Sequence, residues 1–205
     1  MKLLIATRNS HKYQEILHLF SLPQIELVCP NDIPDLPVIR EDGKTFQINA
    51  VKKAVTLALA TKLWTLADDS GLEVAALNGA PGICSARYAG DSANPAANNA
   101  KLLNSLKNKQ NRSARFYCII ALSSPVGRVQ TVDGICKGFI INEERGSSGF
   151  GYDPVFVPEG YSRTFSQLGT EVKNRISHRA IALKRAFELW GNMLIQQAND
   201  WCVND

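Results

Sequence analysis

The sequence predicts an α/β fold, with a mixed central β-sheet flanked by helices, in one domain of 205 residues. In the first third of the chain, apolar runs at residues 2–6, 25–28 and 63–67 alternate with helical repeats, as they do in βα units. Further on, residues 115–123 and 128–136 bracket a short Ser-Pro-Val-Gly turn and predict a β-hairpin with long arms. Parallel βα units beside an antiparallel hairpin make the predicted sheet mixed.

The first βα unit contains a polar loop with the composition of an anion site. A helix is predicted after the first strand because apolar residues recur at i, i+3, i+4 and i+7: Tyr13, Ile16, Leu17 and Phe20. Six polar residues connect the strand to this helix: Thr7, Arg8, Asn9, Ser10, His11 and Lys12. Backbone N–H groups and the helix dipole at such a helix start attract phosphate, although the P-loop pattern is absent. Capping of the helix by Asn or Ser is the alternative explanation.

A carboxylate pair follows the third predicted strand. Residues 44–61 are predicted to form a long Ala-rich helix in which Lys53 interrupts an apolar face. The strand at 63–67 is then predicted to end at Asp68, Asp69 and Ser70. Paired Asp side chains at the carboxyl end of a strand can bind Mg²⁺, accept a proton from water, or do both. The alternatives are turn chemistry for the aspartates and simple extension to solvent for Lys53.

Two helices are predicted in the second half of the chain. The first starts at Asn94 and Pro95, residues typical of a helix N-terminus, and buries three leucines: Leu102, Leu103 and Leu106. The second is a long helix whose core-facing residues repeat at spacings of four and three: Ile176, Ala180, Leu183, Phe187, Trp190 and Leu194. Ser177 is its predicted cap.

The segments before and at this last helix combine glycines, aromatic rings and cations. Residues 145–154 are rich in glycine and contain Phe150 and Tyr152, so the backbone can approach a ligand and a ring can stack on a base. A plain hairpin loop is the alternative. His178 and Arg179 lie in the first helical turn with Lys173 just upstream, and cations there oppose the helix dipole unless an anion or polar ligand is present.

Composition and cysteine spacing exclude several classes of protein. Hydrophobic residues make up 45% and charged residues 20%, an ordinary globular composition. The apolar run at the N-terminus is too short for a signal peptide or a membrane span, so a cytoplasmic location without membrane association is expected. Five scattered cysteines without C-x-x-C spacing argue against a disulfide framework or a zinc site and predict buried free thiols. They are Cys29, Cys84, Cys118, Cys136 and Cys202.

The net charge of +4 is unevenly distributed along the chain. Residues 92–132 contain six basic residues and no acidic one, a bias that can serve anionic ligands or nucleic acid. A solvated helix face is the alternative explanation, and no recognisable nucleic-acid-binding motif accompanies the stretch. Nucleic-acid binding is therefore not the expected function.

Six groups of residues, in order along residues 2–190, together suggest a nucleoside triphosphate site with a metal. They are Ala6-Thr7-x-Asn9-x-x-Lys12, Thr45-Phe46-x-x-Asn49-Ala50-x-x-Lys53-Ala54, Ala67-Asp68-Asp69-Ser70-Gly71-Leu72, Gly79-Ala80-Pro81-Gly82 with Ser85-Ala86-Arg87-Tyr88, Gly149-Phe150-Gly151-Tyr152-Asp153-Pro154, and Lys173 with Ser177-His178-Arg179. This set resembles the inosine triphosphate pyrophosphatase family, the dITP/XTP pyrophosphatases that remove non-standard purine nucleotides.

The resemblance implies hydrolysis of a purine nucleoside triphosphate to the monophosphate and pyrophosphate with Mg²⁺. It also implies a homodimer with an elongated two-lobed fold and an active-site cleft between the lobes. By position, it implies that Asp69 is the general base and a metal ligand, with Asp68 as its acidic neighbour at the metal. Phosphates would be held by Thr7, Arg8, Asn9, Ser10, His11, Lys12, Lys53 and Ser70. Base and sugar would be held by Phe150, Gly151, Tyr152, Asp153, Lys173, His178 and Arg179.

One position departs from the family pattern. The resemblance implies an acidic metal ligand directly before Asn49, and this chain has Ile48 there. Because Mg²⁺ commonly uses only one or two carboxylates together with substrate phosphates and water, Asp69 with Asp68 can suffice. The expectation is an active enzyme with weakened metal affinity. The alternative is a nucleotide-binding protein that has lost catalysis.

Overall fold

The computed structural model describes residues 1–92 and 94–203, the last three by their backbone alone. Over this range one sheet has the strand order β2-β1-β3-β4-β5-β6. The strands are β1 (Lys2–Ile5), β2 (Glu26–Val28), β3 (Trp64–Val74), β4 (Ser113–Ser123), β5 (Val129–Ile140) and β6 (Phe156–Pro158). Strand β1 pairs in parallel with β2 and β3, whereas β5 and β6 are antiparallel, so the predicted mixed sheet is confirmed.

The helices start at side chains that cap them. They are α1 (Ser10–Leu19), α2 (Phe46–Thr61), α3 (Pro95–Ser105), α4 (Phe165–Ile176) and α5 (His178–Val203). Asn9, Thr45 and Asn94 each accept hydrogen bonds from backbone N–H groups in the first turn of α1, α2 and α3. The predicted cap at Ser177 is confirmed, because its Oγ accepts from the Ala180 N–H at 3.2 Å. Ile176 belongs to α4, so the last helix starts two residues later than its hydrophobic repeat.

The prediction that the third strand ends before the aspartates is wrong. Strand β3 continues to Val74, and Asp68 and Asp69 lie inside it. The strand continues because Leu72 and Val74 beyond the charges are fully buried. The neighbouring strand β1 does end here, since its last residue, Ile5, is opposite Leu66. The two carboxylates therefore lie beside the carboxyl end of β1, two and three residues past its last pair.

The described residues form two compact units, and the first consists of residues 1–69, 119–133 and 181 onward. Buried residues of β1, α1, β3 and α5, with Phe20 at the C-terminal end of α1, form its interior: Leu3, Leu4, Ile5, Ile16, Phe20, Leu66, Leu183 and Leu194. Phe187 contacts Phe20 edge to face, with centroids 6.1 Å apart. The predicted core positions Phe187 and Leu17 are nevertheless 44% and 40% exposed, because each lies at the margin of its helix's apolar face.

The second unit consists of residues 70–118 and 134–180 and has its own apolar core. The Phe116 ring contacts the Phe156 ring at 4.7 Å and stacks on the His178 imidazole at 4.7 Å. Cys118 and Cys136 are buried as predicted, but Cys84 is exposed because it lies in a short 3₁₀ helix, Gly82–Arg87, at the surface. The side chain of Cys202 lies outside the described residues. Along residues 1–92 and 94–203, no helix is long and apolar enough to cross a membrane.

Candidate active site

Two lysines hold the carboxylate pair in the first unit. Each aspartate has its own lysine at short distance, and both carboxylates act electrostatically on Lys53. Lys12 Nζ lies 3.0 Å from Asp68 Oδ2, and Lys53 Nζ lies 3.4 Å from Asp69 Oδ1. Both aspartates are buried, at 1% and 6% exposure. The structure thus brings together four of the predicted site residues, and we call them the carboxylate cluster.

Two residues of this cluster's surroundings were not predicted as site residues. Glu41 Oε1 accepts from Lys53 Nζ at 2.8 Å, so Glu41 and Asp69 share one ammonium group. Asn49 is 2% exposed; its Oδ1 accepts from the Gly43 N–H at 2.8 Å, and its amide hydrogen-bonds to Asp69. The signal for Glu41 is an acidic pair, Glu41-Asp42, just before a helix with two lysines. The signal for Asn49 is a polar residue on the apolar face of α2.

Burial and neighbouring charges shift the pKa values of Asp69 and Lys53 in the carboxylate cluster. Burial raises the pKa of the Asp69 carboxyl above its usual range, and the ammonium groups of Lys53 and Lys12 offset part of that rise. Burial alone would lower the pKa of Lys53, but three surrounding carboxylates outweigh it and raise the pKa above its usual value. Lys53 is therefore a cation at neutral pH. Asp69 is a base that is less hydrated than a surface aspartate.

The donor set of the carboxylate cluster suits a hard cation such as Mg²⁺, which prefers oxygen ligands. Within the part of the chain that the structure describes, no three His, Cys, Asp or Glu side chains are grouped to hold a metal by themselves. A magnesium ion bound by Asp69, with Asp68 as the other predicted ligand, would therefore complete its shell with water and substrate oxygens.

The main-chain N–H groups at the start of α1 are mainly capped by side chains of the loop before it. Asn9 Oδ1 accepts from the N–H groups of His11 and Lys12 at 3.0 and 3.2 Å, and Thr7 Oγ1 accepts from Asn9 N–H at 3.2 Å. Two N–H groups expected for phosphate are thus already bonded to Asn9, as the capping alternative predicts. Arg8, Ser10 and His11 are exposed. Among the predicted residues of the loop, Lys12 reaches the aspartates directly, through its Nζ 3.0 Å from Asp68 Oδ2.

In the second unit, the glycine-rich loop is folded around the Asp153 carboxylate. Asp153 Oδ2 accepts from Lys173 Nζ at 2.6 Å and from the Phe150 N–H at 2.8 Å. Lys173 Nζ also lies 4.0 Å from the centroid of the Phe150 ring, a cation–π contact. Asp153 is therefore the anion that the predicted basic cluster requires beside Lys173. We call Phe150, Asp153, Lys173 and Arg179 the aromatic–basic cluster.

The other predicted residues of this unit divide between the cluster and the core. Arg179 is 1% exposed; its Nη2 donates to Ser70 Oγ at 2.9 Å and its guanidinium lies 5.9 Å from the Phe150 ring. His178 is buried against Phe116. Tyr152 is part of the apolar core and its hydroxyl donates to the Ser85 carbonyl at 2.9 Å. The stacking face expected in the loop is therefore Phe150 and not Tyr152, because the Tyr152 ring is enclosed.

The fold and the two clusters agree with a family assignment by direct comparison. The Ham1 family model matches residues 3–189, so the chain belongs to the Ham1 family. The resemblance found in the sequence motifs is thereby confirmed.

Individual relatives match over nearly their whole length. A dITP/XTP pyrophosphatase of Desulforamulus reducens is 47% identical over 199 residues, covering 96% of this chain and 99% of the relative. The structure of the Ham1 protein of Staphylococcus aureus superposes with a TM-score of 0.86 at 37% identity, covering 94% of this chain and 100% of that one. A HAM1 protein from Coxiella burnetii gives a TM-score of 0.87 at 39% identity, covering 94% and 99%.

Proposed function

We propose that this protein hydrolyses non-standard purine nucleoside triphosphates, namely dITP, XTP and ITP, to the monophosphate and pyrophosphate. The observation that carries the proposal is the buried Asp69 carboxylate, held by Lys53 and Asn49 in a member of the Ham1 family. The name of the Desulforamulus reducens relative gives the same reaction. That name favours a hydrolase over a protein that only binds nucleotides.

The carboxylate cluster has the groups that this reaction needs. Asp69 is a base able to orient and deprotonate the attacking water, a contribution of roughly 10²- to 10⁴-fold in comparable enzymes. Lys53 and Lys12 carry positive charge that neutralises the charge developing on the pyrophosphate leaving group. A bound Mg²⁺, held by Asp69 and Asp68, would polarise phosphate oxygens and water. In this structure Lys12 and Lys53 contact carboxylates. When metal and substrate bind, the aspartates would hold the metal in place of the lysines, and the lysines would contact the phosphates instead.

The aromatic–basic cluster suits a 6-oxopurine. The Phe150 ring offers a stacking face, and Lys173 and Arg179 offer N–H donors toward an oxygen acceptor. The amino group of adenine would leave such donors unpaired, at a cost of about 1–3 kcal/mol each. His178 is a third predicted donor, but its stacking on Phe116 gives it a structural role as well.

Mg²⁺ dependence, a homodimer and a cytoplasmic location belong to the proposal because the family resemblance implies them. Sedimentation equilibrium tests the dimer, since the chain mass of 22.5 kDa distinguishes monomer from dimer.

The direct test measures pyrophosphate release from ITP, XTP, dITP, GTP and ATP with and without Mg²⁺, beside the variant Asp69→Asn. We expect Mg²⁺-dependent release from ITP, XTP and dITP and a rate at least about 100-fold lower in the variant. Asparagine keeps the shape of Asp69 but cannot accept a proton. ITP binding without hydrolysis by the wild-type protein would overturn the hydrolase assignment and favour the binding protein.

A further inference from the structure

Helix α3 presents two adjacent asparagines that are both buried, at 5% and 2% exposure. Asn98 makes two hydrogen bonds: its Oδ1 accepts from the Ala89 N–H at 2.7 Å and its Nδ2 donates to the Ala86 carbonyl at 3.1 Å. Asn99 donates through Nδ2 to the Gly151 carbonyl at 3.2 Å. The two side chains therefore serve different segments, although they share residue type, helix and burial.

The bond from Asn99 reaches the middle of the turn that carries Phe150. Gly151 has φ +62°, a conformation that glycine adopts at little cost. The turn is closed by the Asp153 N–H, which donates to the Phe150 carbonyl at 3.2 Å, and by the Phe150 N–H on Asp153 Oδ2. Asn99 thus holds the glycine that directly follows Phe150 in the turn.

A second bond fixes the same turn to another element. The Tyr152 hydroxyl donates to the Ser85 carbonyl, and Ser85 Oγ in turn accepts from the Leu72 N–H of β3 at 2.9 Å. With Asn99 on α3 and Ser85 beside β3, both residues that follow Phe150 are attached to regular structure. The Phe150 ring is therefore held by its backbone, while its face contacts Lys173 at 4.0 Å.

Asn99 is poorly explained by stability alone. Its Oδ1 is buried and accepts no hydrogen bond from the residues that the structure describes. Burying a polar atom without a hydrogen bond costs at least as much free energy as one formed hydrogen bond contributes. The Asn99 side chain therefore brings little net stabilisation at this position. Leucine has the same branched shape and would avoid the penalty. What leucine cannot do is hold the Gly151 carbonyl.

We propose that Asn99 is a positioning residue for recognition of the purine base, which it serves by holding the Gly151 carbonyl and so orienting Phe150. This inference rests on the proposed function and adds to it a residue outside the aromatic–basic cluster. Its effect should fall on the base rather than on the phosphates, because its hydrogen bond ends on the loop of that cluster. The predicted phosphate ligands Lys12 and Lys53 belong to the first unit, and the predicted phosphate ligand Ser70 lies on β3 and not on this loop.

The test compares Asn99→Leu with the matched control Asn98→Leu. Inosine binding by calorimetry reports on the base, inhibition by pyrophosphate reports on the phosphates, and kcat and KM for ITP complete the set. For Asn99→Leu we expect inosine binding and 1/KM to fall about 3- to 10-fold, the effect of one hydrogen bond, with pyrophosphate inhibition unchanged. Its melting temperature should stay near that of the wild type, because one made and one unmade bond are removed together.

The control should show the opposite pattern. Asn98→Leu loses two made bonds, so its melting temperature should fall while inosine and pyrophosphate affinities of the folded protein stay unchanged. Asn99→Ala, which suits a helix and leaves no bulk, keeps the test available if leucine is not tolerated; the same loss of inosine affinity is expected.

Equal inosine affinity in the wild type and both Asn99 variants would overturn the positioning role. So would a parallel loss of pyrophosphate inhibition, since that indicates general damage. Failure of the wild type itself to hydrolyse ITP and bind inosine would instead overturn the proposed function, and the positioning role with it.

Discussion

Lys173 lies between a carboxylate and an aromatic ring, and its surroundings determine what a substitution there would do. Its side chain and that of Asp153 are 6% and 3% exposed, and their charged atoms are 2.6 Å apart. Breaking such a pair from one side leaves a buried charge without compensation, which costs more than the pair itself contributes. Lys173 therefore contributes to the stability of the second unit, in addition to its proposed role in binding the base.

For the variant Lys173→Met we predict a free energy of unfolding about 3–5 kcal/mol below that of the wild type, because the Asp153 carboxylate stays buried and loses its ion pair with Lys173. Methionine keeps the length and apolar stem of lysine, so packing changes little. Urea denaturation followed by circular dichroism measures the difference.

The double variant Lys173→Met with Asp153→Asn is the control. It removes the orphaned charge but retains an oxygen that can accept from the Phe150 N–H, so part of the lost stability should return. If the double variant is as unstable as the sum of the single variants, charge pairing is not what Lys173 contributes.

At the scale of elements, helix α2 starts with an incomplete capping box. Thr45 Oγ1 accepts from the Ile48 N–H at 3.1 Å, but isoleucine cannot return a bond to the Thr45 N–H. Ile48 is 50% exposed, so its side chain is not a core residue. The position that departs from the family pattern is therefore also one where the helix N-terminus favours an acid.

For Ile48→Glu we predict two separate gains. Completion of the capping box should raise the free energy of unfolding by about 0.3–1.5 kcal/mol without Mg²⁺. The new carboxylate should also lower the Mg²⁺ concentration needed for half-maximal pyrophosphate release. Denaturation in EDTA measures the first effect, and a Mg²⁺ titration of the rate measures the second.

Ile48→Gln separates these effects, because glutamine completes the capping box without adding a charge. We expect it to share the gain in stability and to keep the wild-type Mg²⁺ requirement. An unchanged Mg²⁺ requirement in Ile48→Glu would mean that position 48 has no access to the metal in this chain.

The elements show which parts of the fold a sequence can predict. Helices α1, α2, α3 and the hairpin follow from local periodicity and caps, which depend on neighbouring residues only. The end of β3 was missed because charge normally ends a buried strand, and here lysines from other elements compensate the aspartates. The sequence pattern does not identify Glu41 and Asn49 as site residues either, because their contacts with Lys53 and Asp69 arise only in the tertiary structure.

At the scale of the whole molecule, the basic stretch at residues 92–132 is less available than its composition suggests. Arg112 donates to the carbonyls of Leu106, Ile140 and Ile141, and Arg115 pairs with Glu73 at 2.6 Å. Lys101 donates to the Tyr88 carbonyl at 2.6 Å. Three of the six cations therefore have internal structural roles.

We predict weak, nonspecific affinity for nucleic acid, with dissociation constants no tighter than about 10⁻⁴ M at 150 mM salt, as expected from a few surface charges. Fluorescence anisotropy with a labelled 20-mer, single- and double-stranded, across a salt series measures both affinity and salt slope. The variant Lys107→Glu with Lys109→Glu reverses two exposed charges of the stretch and is the control. Its ITP hydrolysis should match that of the wild type, because neither lysine belongs to the two clusters.

Micromolar binding at 150 mM salt that disappears in this variant would instead make the basic stretch a nucleic-acid site. In that case the slope of the logarithm of the affinity against the logarithm of the salt concentration should fall by about 1 for each phosphate contact that the variant loses.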